Sequence, residues 1–279
     1  YNLACLNCRS GRKAKAYDWL DKAIAAGFND ATQLAGDADF ESIRNKARFK
    51  RILQGLRGEA ASTSPAPAAP PVVTESDGIL LSAPEGLNGD RAAPLIIALH
   101  GYDRNAASML AKWKQAAADA GAVLAVPEGP IHISAGAYQW KDATATAQAV
   151  TACIDRAKRQ YTIDETRVVL AGVCQGGAMA CRIVASDPKQ FCGVILTATE
   201  FDPRWKDVLA PADLGGRRIF IMVGEKDSRR VVKSADLGRR MFENAGAEVN
   251  VRRYPHTGHG FPRDAEEGQA PALAFVLGL

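Results

Sequence analysis

Long apolar runs are absent from this chain. No stretch approaches the roughly 18 to 20 residues that a membrane-spanning helix requires, so no membrane span is expected. The opening residues hold no basic stretch followed by an apolar core, and a secretion signal is not expected there. Histidine is scarce: with four in the chain, any imidazole chemistry must come from His100, His132, His256 or His259. Glycine-rich phosphate cradles and His/Cys/Asp/Glu clusters at metal-ligand spacing are also missing, so no metal, nucleotide or other cofactor is implied. The six cysteines, at 5, 8, 153, 174, 181 and 192, lack the dense spacing of a disulfide-stapled scaffold and are expected as free thiols.

What remains is ordinary globular material. The chain has 279 residues, 47% of them hydrophobic and 24% charged, enough for one large or two modest domains with a full core. The net charge of +4 is unevenly placed. Residues 1–58 carry 11 Lys and Arg against six Asp and Glu, so the positive excess belongs to this segment. Without interleaved aromatics and glycines it reads as a solvated helical face, and no nucleic-acid partner is expected.

Within 1–58, two helical patterns flank Gly11, with small residues at Ala4, Ala16 and Ala23, and further short helices follow over 30–36 and 40–56. The small-residue pattern resembles one incomplete tetratricopeptide repeat, which implies a peptide or protein partner for this segment. Cys5 and Cys8 form a C-x-x-C on the first helix, with no second pair or His nearby, and are expected to pack rather than to bind metal. Residues 59–74 hold four prolines among Ala and Ser and read as a linker.

From residue 75 to 279, short β-branched runs alternate with amphipathic stretches of ten or more residues. That alternation means an α/β domain with a doubly wound, mostly parallel sheet, in which ligands sit beyond the carboxyl ends of the strands. Arg167 to Ala180, RVVLAGVCQGGAMA, is its centre: an apolar strand, a sharp turn and a helix start. Gly172 and Gly176 bracket Cys174, as the nucleophile elbow G-x-S-x-G requires, with Cys in place of Ser. The amide of Gln175, at the start of the helix, faces any anion forming there. A thiol nucleophile needs a base and an orienter for that base. His259, in a Gly-flanked loop after the last strand, is the expected base, with His256 as the alternative. Asp227, after the strand Arg218 to Val223, is the expected orienter, with Glu225 as the alternative. His100, before Gly101 at a strand end, is expected to shape a loop, and His132 to sit at a pocket rim. The order nucleophile, acid, histidine is that of the hydrolase elbow.

Together, LHGYDRN (99–105), PEGP (127–130), YQW (138–140), GVCQGGAMA (172–180), VGEKD (223–227) and GHGFP (258–262) resemble the α/β-hydrolase fold. Within it they are similar to the phospholipase/carboxylesterase family, whose members include acyl-protein thioesterases; the cysteine at the elbow resembles dienelactone hydrolases. The resemblance implies Cys174, Asp227 and His259 as a triad and the amides of Tyr102 and Gln175 as the oxyanion hole. It also implies Trp140 as a pocket wall, with plain core packing as the equal alternative, and a small-molecule ester, thioester or lactone as substrate. A free catalytic thiol favours a reducing compartment such as the cytoplasm. Three other readings remain: an inactive hydrolase-like domain in a helical-repeat scaffold, a Ser-to-Cys form of a serine esterase, and a Cys protease.

Overall fold

The structure, a computed structural model, describes residues 2–279 except 26–27, 29, 45, 47, 51, 54–55, 57–71, 88–90, 263–264 and 266. Most of the expected linker therefore lies outside the described residues. The chain divides into two units, Tyr1–Ala68 and Ala69–Leu279.

In the smaller unit, helices α1 (Asn2–Arg9) and α2 (Lys13–Ala25) join at Gly11, whose φ of 73° is the left-handed conformation glycine adopts without strain. Helix α3 (Ala31–Gly36) starts where the Asp30 carboxylate accepts the Gln33 amide at 2.7 Å. Over the stretch expected to be helical from Phe40, the chain begins with a 3-10 turn, Ala38–Phe40, whose start the Asp37 side chain caps by accepting the Asp39 amide; α4 (Glu41–Arg44) follows, with further helical residues at 48–50 and 52–53. Ala4, Ala16, Leu20, Leu34, Phe40 and Ile43 form the centre of a small core. Cys5 and Cys8 are buried beside it. The Cys5 thiol faces the Asp37 carboxylate at 3.6 Å and lies within reach of Asp39. Burial and these carboxylates push its pKa up to about 12.

In the larger unit the strands are β1 (Val72–Ser76), β2 (Ile79–Ala83), β3 (Ala93–Leu99), β4 (Val123–Pro127), β5 (Ile131–Ser134), β6 (Ala137–Gln139), β7 (Ile163–Val173), β8 (Gly193–Thr197), β9 (Arg218–Gly224) and β10 (Glu248–Tyr254). Eight of them form one sheet in the order β1-β2-β4-β3-β7-β8-β9-β10, while β5 and β6 make a separate hairpin. Pairing is parallel from β4 through β10 and antiparallel at β1 and β2. Strand β1 begins inside the segment expected to be linker.

Both faces of the parallel strands are covered, which is why they read as continuous apolar runs. Leu95, Ile97, Leu99, Val168 and Leu170 face one core, which takes in residues of α6 (Ala143–Gln160), α7 (Gln175–Ser186) and α9 (Arg229–Asn244). Ile96, Ala98, Val169 and Ala171 face the other, with α5 (Ala106–Asp119) and α10 (Gln269–Leu277). The short α8 (Lys206–Leu209) lies between β8 and β9 in the chain.

The chain leaves β3 outward to β4, then returns to β7 on the opposite side of β3, so the topological switch point lies between β3 and β7. Register carries the consequence. Leu99 pairs with Gly172, Val173 with Thr197, Thr197 with Met222 and Gly224 with Tyr254. The segments that follow these residues, which hold Tyr102, Cys174, Asp227 and His259, all emerge along one edge of the sheet. The elbow demands close backbone approach there: a Cβ on Gly172 would lie 2.5 Å from the Gly176 carbonyl carbon, and one on Gly176 2.5 Å from the His100 oxygen. Gly176→Ala is therefore expected to cost about 1–3 kcal/mol through overpacking against backbone that cannot yield, read as a lower midpoint in urea unfolding.

Candidate active site

Cys174 ends β7 and caps α7 with φ 54° and ψ −114°, a region that costs a non-glycine residue about 1–3 kcal/mol. The surroundings impose it. The Cys174 amide donates to the Thr197 oxygen at 3.0 Å, and the Ala178 amide donates to the Cys174 oxygen at 3.0 Å. Its thiol makes no capping bond to its own helix and stands half-buried in the cleft, at the positive end of the α7 dipole.

His259 reaches the same point from the loop after β10. Its Nδ1 lies 3.0 and 2.9 Å from the two oxygens of Asp227, whose side chain is 1% exposed. The loop that carries His259 and the turn that carries Asp227 are bound together: the Lys226 amide donates to the Thr257 oxygen at 2.9 Å. A Cβ on Gly224 would sit 2.3 Å from the Thr257 oxygen, so only glycine lets them meet. Glu225 spends its amide on the Tyr254 oxygen at 3.0 Å and its side chain is exposed; Asp227 is the residue bonded to His259. His256 is exposed in the turn just after the strand, and His132 is exposed on β5 with its ring 5.1 Å from that of Tyr138.

The two titrating groups hold each other in charged form. A hydrogen bond from His259 is the largest influence on the Cys174 thiol and lowers its pKa against the opposing effect of burial; the amides of Gln175 and Tyr102 add to the lowering. The same bond is the largest influence on His259, whose pKa rises to about 9 with further support from Asp227.

His100 is buried beneath this edge. Its Nε2 accepts the Gly129 amide at 2.9 Å and its Nδ1 faces the Gly101 oxygen at 2.8 Å, an arrangement that needs the neutral ring with the proton on Nδ1. Burial lowers its pKa accordingly. Of the two readings of Trp140, the pocket wall gives way to packing: it is 2% exposed and does not line either of the two described cavities that reach Cys174. Its indole N–H donates to the His100 oxygen at 2.8 Å, and a buried indole must find such an acceptor.

Those cavities flank the sulfur. One, of about 540 Å³, is bordered by Ala198, Glu200, Lys226, Ser228 and Val231. The other, of about 410 Å³, is bordered by Tyr102, Arg104, Met109, Lys112 and Phe261. Tyr102, Arg104, Lys226 and Phe261 lie within the stretches LHGYDRN, VGEKD and GHGFP, while the others carry no motif. For Met109 and Lys112, the one sequence signal is the Asn105/Ser108 capping box, which starts α5 beside the loop after β3.

A match to the dienelactone hydrolase family spans residues 126–275, more than half of the chain. The chain belongs to this family. It is a carboxylic ester hydrolase with the α/β-hydrolase fold. Solved structures similar to the hydrolase include an uncharacterized protein from Bacillus cereus ATCC 10987, at 17% identity and a TM-score of 0.59, covering 98% of this chain and 84% of that one. A carboxylesterase from Mesorhizobium loti aligns at 18% identity and a TM-score of 0.57, over 74% of the hydrolase and 99% of its own chain. A ferulic acid esterase aligns at 15% identity and a TM-score of 0.55, over 74% and 96%. Identities this low establish the shared fold. No curated protein sequence matches the chain. Among the described residues no helix is long and apolar enough to cross a membrane.

Proposed function

We propose that the hydrolase cleaves small carboxylic esters or thioesters through an acyl-enzyme on Cys174, with His259 as acid and base and Asp227 as the group that orients it. The observation that carries this reading is the coupled pair: a half-exposed thiol whose pKa is lowered by His259, and an imidazole raised to about 9 whose Nδ1 is bonded to buried Asp227.

The Cys174 thiolate adds to the ester carbonyl carbon, and the C=O π pair moves onto oxygen, where the amides of Tyr102 and Gln175 receive the charge. Collapse re-forms the C=O bond and expels the alkoxide, which takes the proton of the His259 imidazolium and leaves as alcohol. A thioester remains on Cys174 and His259 is neutral. Water then gives a proton to His259 as its oxygen attacks the thioester. The second collapse expels the Cys174 thiolate, the acid leaves as carboxylate with its proton passing to solvent, and the ion pair is restored.

Rapid-quench mass spectrometry with a p-nitrophenyl ester tests this. The expected result is a burst of p-nitrophenol and one acyl adduct, mapped to Cys174 and released by hydroxylamine as a thioester is. Turnover with the adduct elsewhere overturns the assignment of the nucleophile. Neither turnover nor adduct overturns the enzyme reading in favour of the inactive scaffold.

A further inference from the structure

Two backbone N–H groups from different parts of the chain converge on Cys174: Tyr102 follows β3 and Gln175 opens α7. Their spacing decides how well they hold an oxyanion; β3–β7 pairing and the close approach of Gly176 to His100 bring the two segments together, and the loop beyond His100 that carries Tyr102 needs a further hold. One segment is bonded to both sides. The Gln175 side chain grips the Trp140 backbone twice: its Oε1 accepts the Trp140 amide at 3.0 Å and its Nε2 donates to the Trp140 oxygen at 3.2 Å. From the same residue the indole N–H donates to the His100 oxygen at 2.8 Å, two residues before Tyr102, and the ring stacks on His100 at 4.8 Å between centroids. The β5–β6 hairpin continues the attachment on the far side of Tyr102. The Asp103 amide donates to the Tyr138 oxygen at 3.1 Å, and the Tyr138 amide to the Arg104 oxygen at 2.9 Å. The Asn105 side chain donates to the Gly136 oxygen at 2.7 Å. Asp103 needs such restraint, since it sits at φ 58°, which a non-glycine residue adopts only when held.

We infer that the hairpin end Tyr138–Trp140 is a positioning clamp for the oxyanion hole, in which Trp140 and the Gln175 side chain set the distance between the Tyr102 and Gln175 amides. The inference rests on the acyl-enzyme reading above. The clamp reaches the sulfur only through those two amides, which are lesser influences on the thiol than the bond from His259, so its loss falls mainly on the transition state.

Trp140→Phe removes the bond to His100 and keeps an aromatic ring. Gln175→Met removes the grip on Trp140 without emptying the core, which keeps the test open should Trp140→Phe fold poorly. Each is compared with wild type by three measurements: p-nitrophenyl ester kinetics, inhibition by an aliphatic aldehyde, and the pH profile of iodoacetamide alkylation. The aldehyde reports the hole because sulfur adds to its carbonyl carbon, the π pair moves onto oxygen, and that oxygen rests on the two amides before a proton from His259 reaches it. The expected result is kcat down about 10- to 100-fold with KM within about threefold, aldehyde affinity weaker by the same factor as kcat, and an alkylation profile whose acid limb rises by less than about one pH unit, because the larger influence of His259 stays. Wild-type kcat and aldehyde affinity in both variants overturn the clamp. So does a parallel loss of alkylation, which marks a merely structural role. A wild-type protein that alkylates but never turns over ester shows failure of the underlying reading, and the clamp falls with it.

Discussion

Cys174→Ala is expected to lower kcat/KM for a p-nitrophenyl ester by about 10⁴-fold or more, with no loss of folding. The fold should survive because alanine inherits the φ of 54° on the same terms as cysteine and gives up no capping bond. The two amides and both cavities stay, so substrate still binds and an oxyanion is still received. What vanishes is the covalent route. Water would have to attack the ester directly, and His259 would lose the bond that contributes most to its raised pKa, reverting to an ordinary neutral base. Oxyanion stabilisation and binding alone leave a residual rate on the order of 10³ over water, so the variant should be slow rather than inert. Cys174→Ser should recover part of the activity, since a hydroxyl accepts general-base help but cannot rest as the anion of a formed ion pair. A Cys174→Ala rate within tenfold of wild type would falsify the nucleophile assignment.

The parallel sheet was legible because its strands are buried on both faces: Val168 to Ala171 allow no other placement, and the helices between strands have the length a crossover needs. The elbow was legible for a stereochemical reason, since Gly172 and Gly176 are where backbone meets backbone. Asp227 was preferred to Glu225 on its place after the strand and on chain order; what the sequence did not show is the cause, the pairing of the Glu225 amide with Tyr254, a matter of register between strands about 30 residues apart. Trp140 could be read in sequence as wall or as core, and only the fold decides. An aromatic residue near a site in sequence suggests a wall, but whether it faces the cleft or lies beneath it depends on where its N–H finds an acceptor, and here the acceptor is the backbone of a loop 40 residues away. The hairpin carrying it escaped notice because Ile131–Ser134 and Ala137–Gln139 are too short, and β5 too exposed, to show an alternating pattern. Arg104 fell within LHGYDRN without a role assigned to it, and Lys112 had no motif at all; the loop after β3 and α5 bring both to the border of the cavity beside Cys174.

His259→Gln is expected to slow iodoacetamide alkylation of Cys174 at pH 6.5 by about 10- to 100-fold and to cut ester turnover by about 10³-fold or more. The sign follows from the causes. In the wild type the thiol pKa lies below its ordinary value, so thiolate is present above that lowered pKa, and His259 stays protonated up to about 9. Between these limits the ion pair dominates and alkylation should vary little with pH. Without the imidazole, the largest lowering influence is gone. Burial then raises the thiol pKa against the two backbone amides alone, and at pH 6.5 a thiol with a pKa of about 8.5 is only about 1% ionised. The acid limb of alkylation should therefore move up past pH 8. Turnover in the wild type should have a different limb. Once the sulfur is acylated it can no longer hold the proton on His259, so the imidazole falls back toward its ordinary value of about 6.5, still raised by Asp227. It is then neutral near pH 7, as a base for water must be. The kcat profile should accordingly rise through a pKa between about 6.5 and 9, above the limb for alkylation of the free enzyme. Coincident limbs in the two profiles would mean that the sulfur does not govern the proton on His259, and the coupled pair at the centre of the proposed mechanism would have to be abandoned.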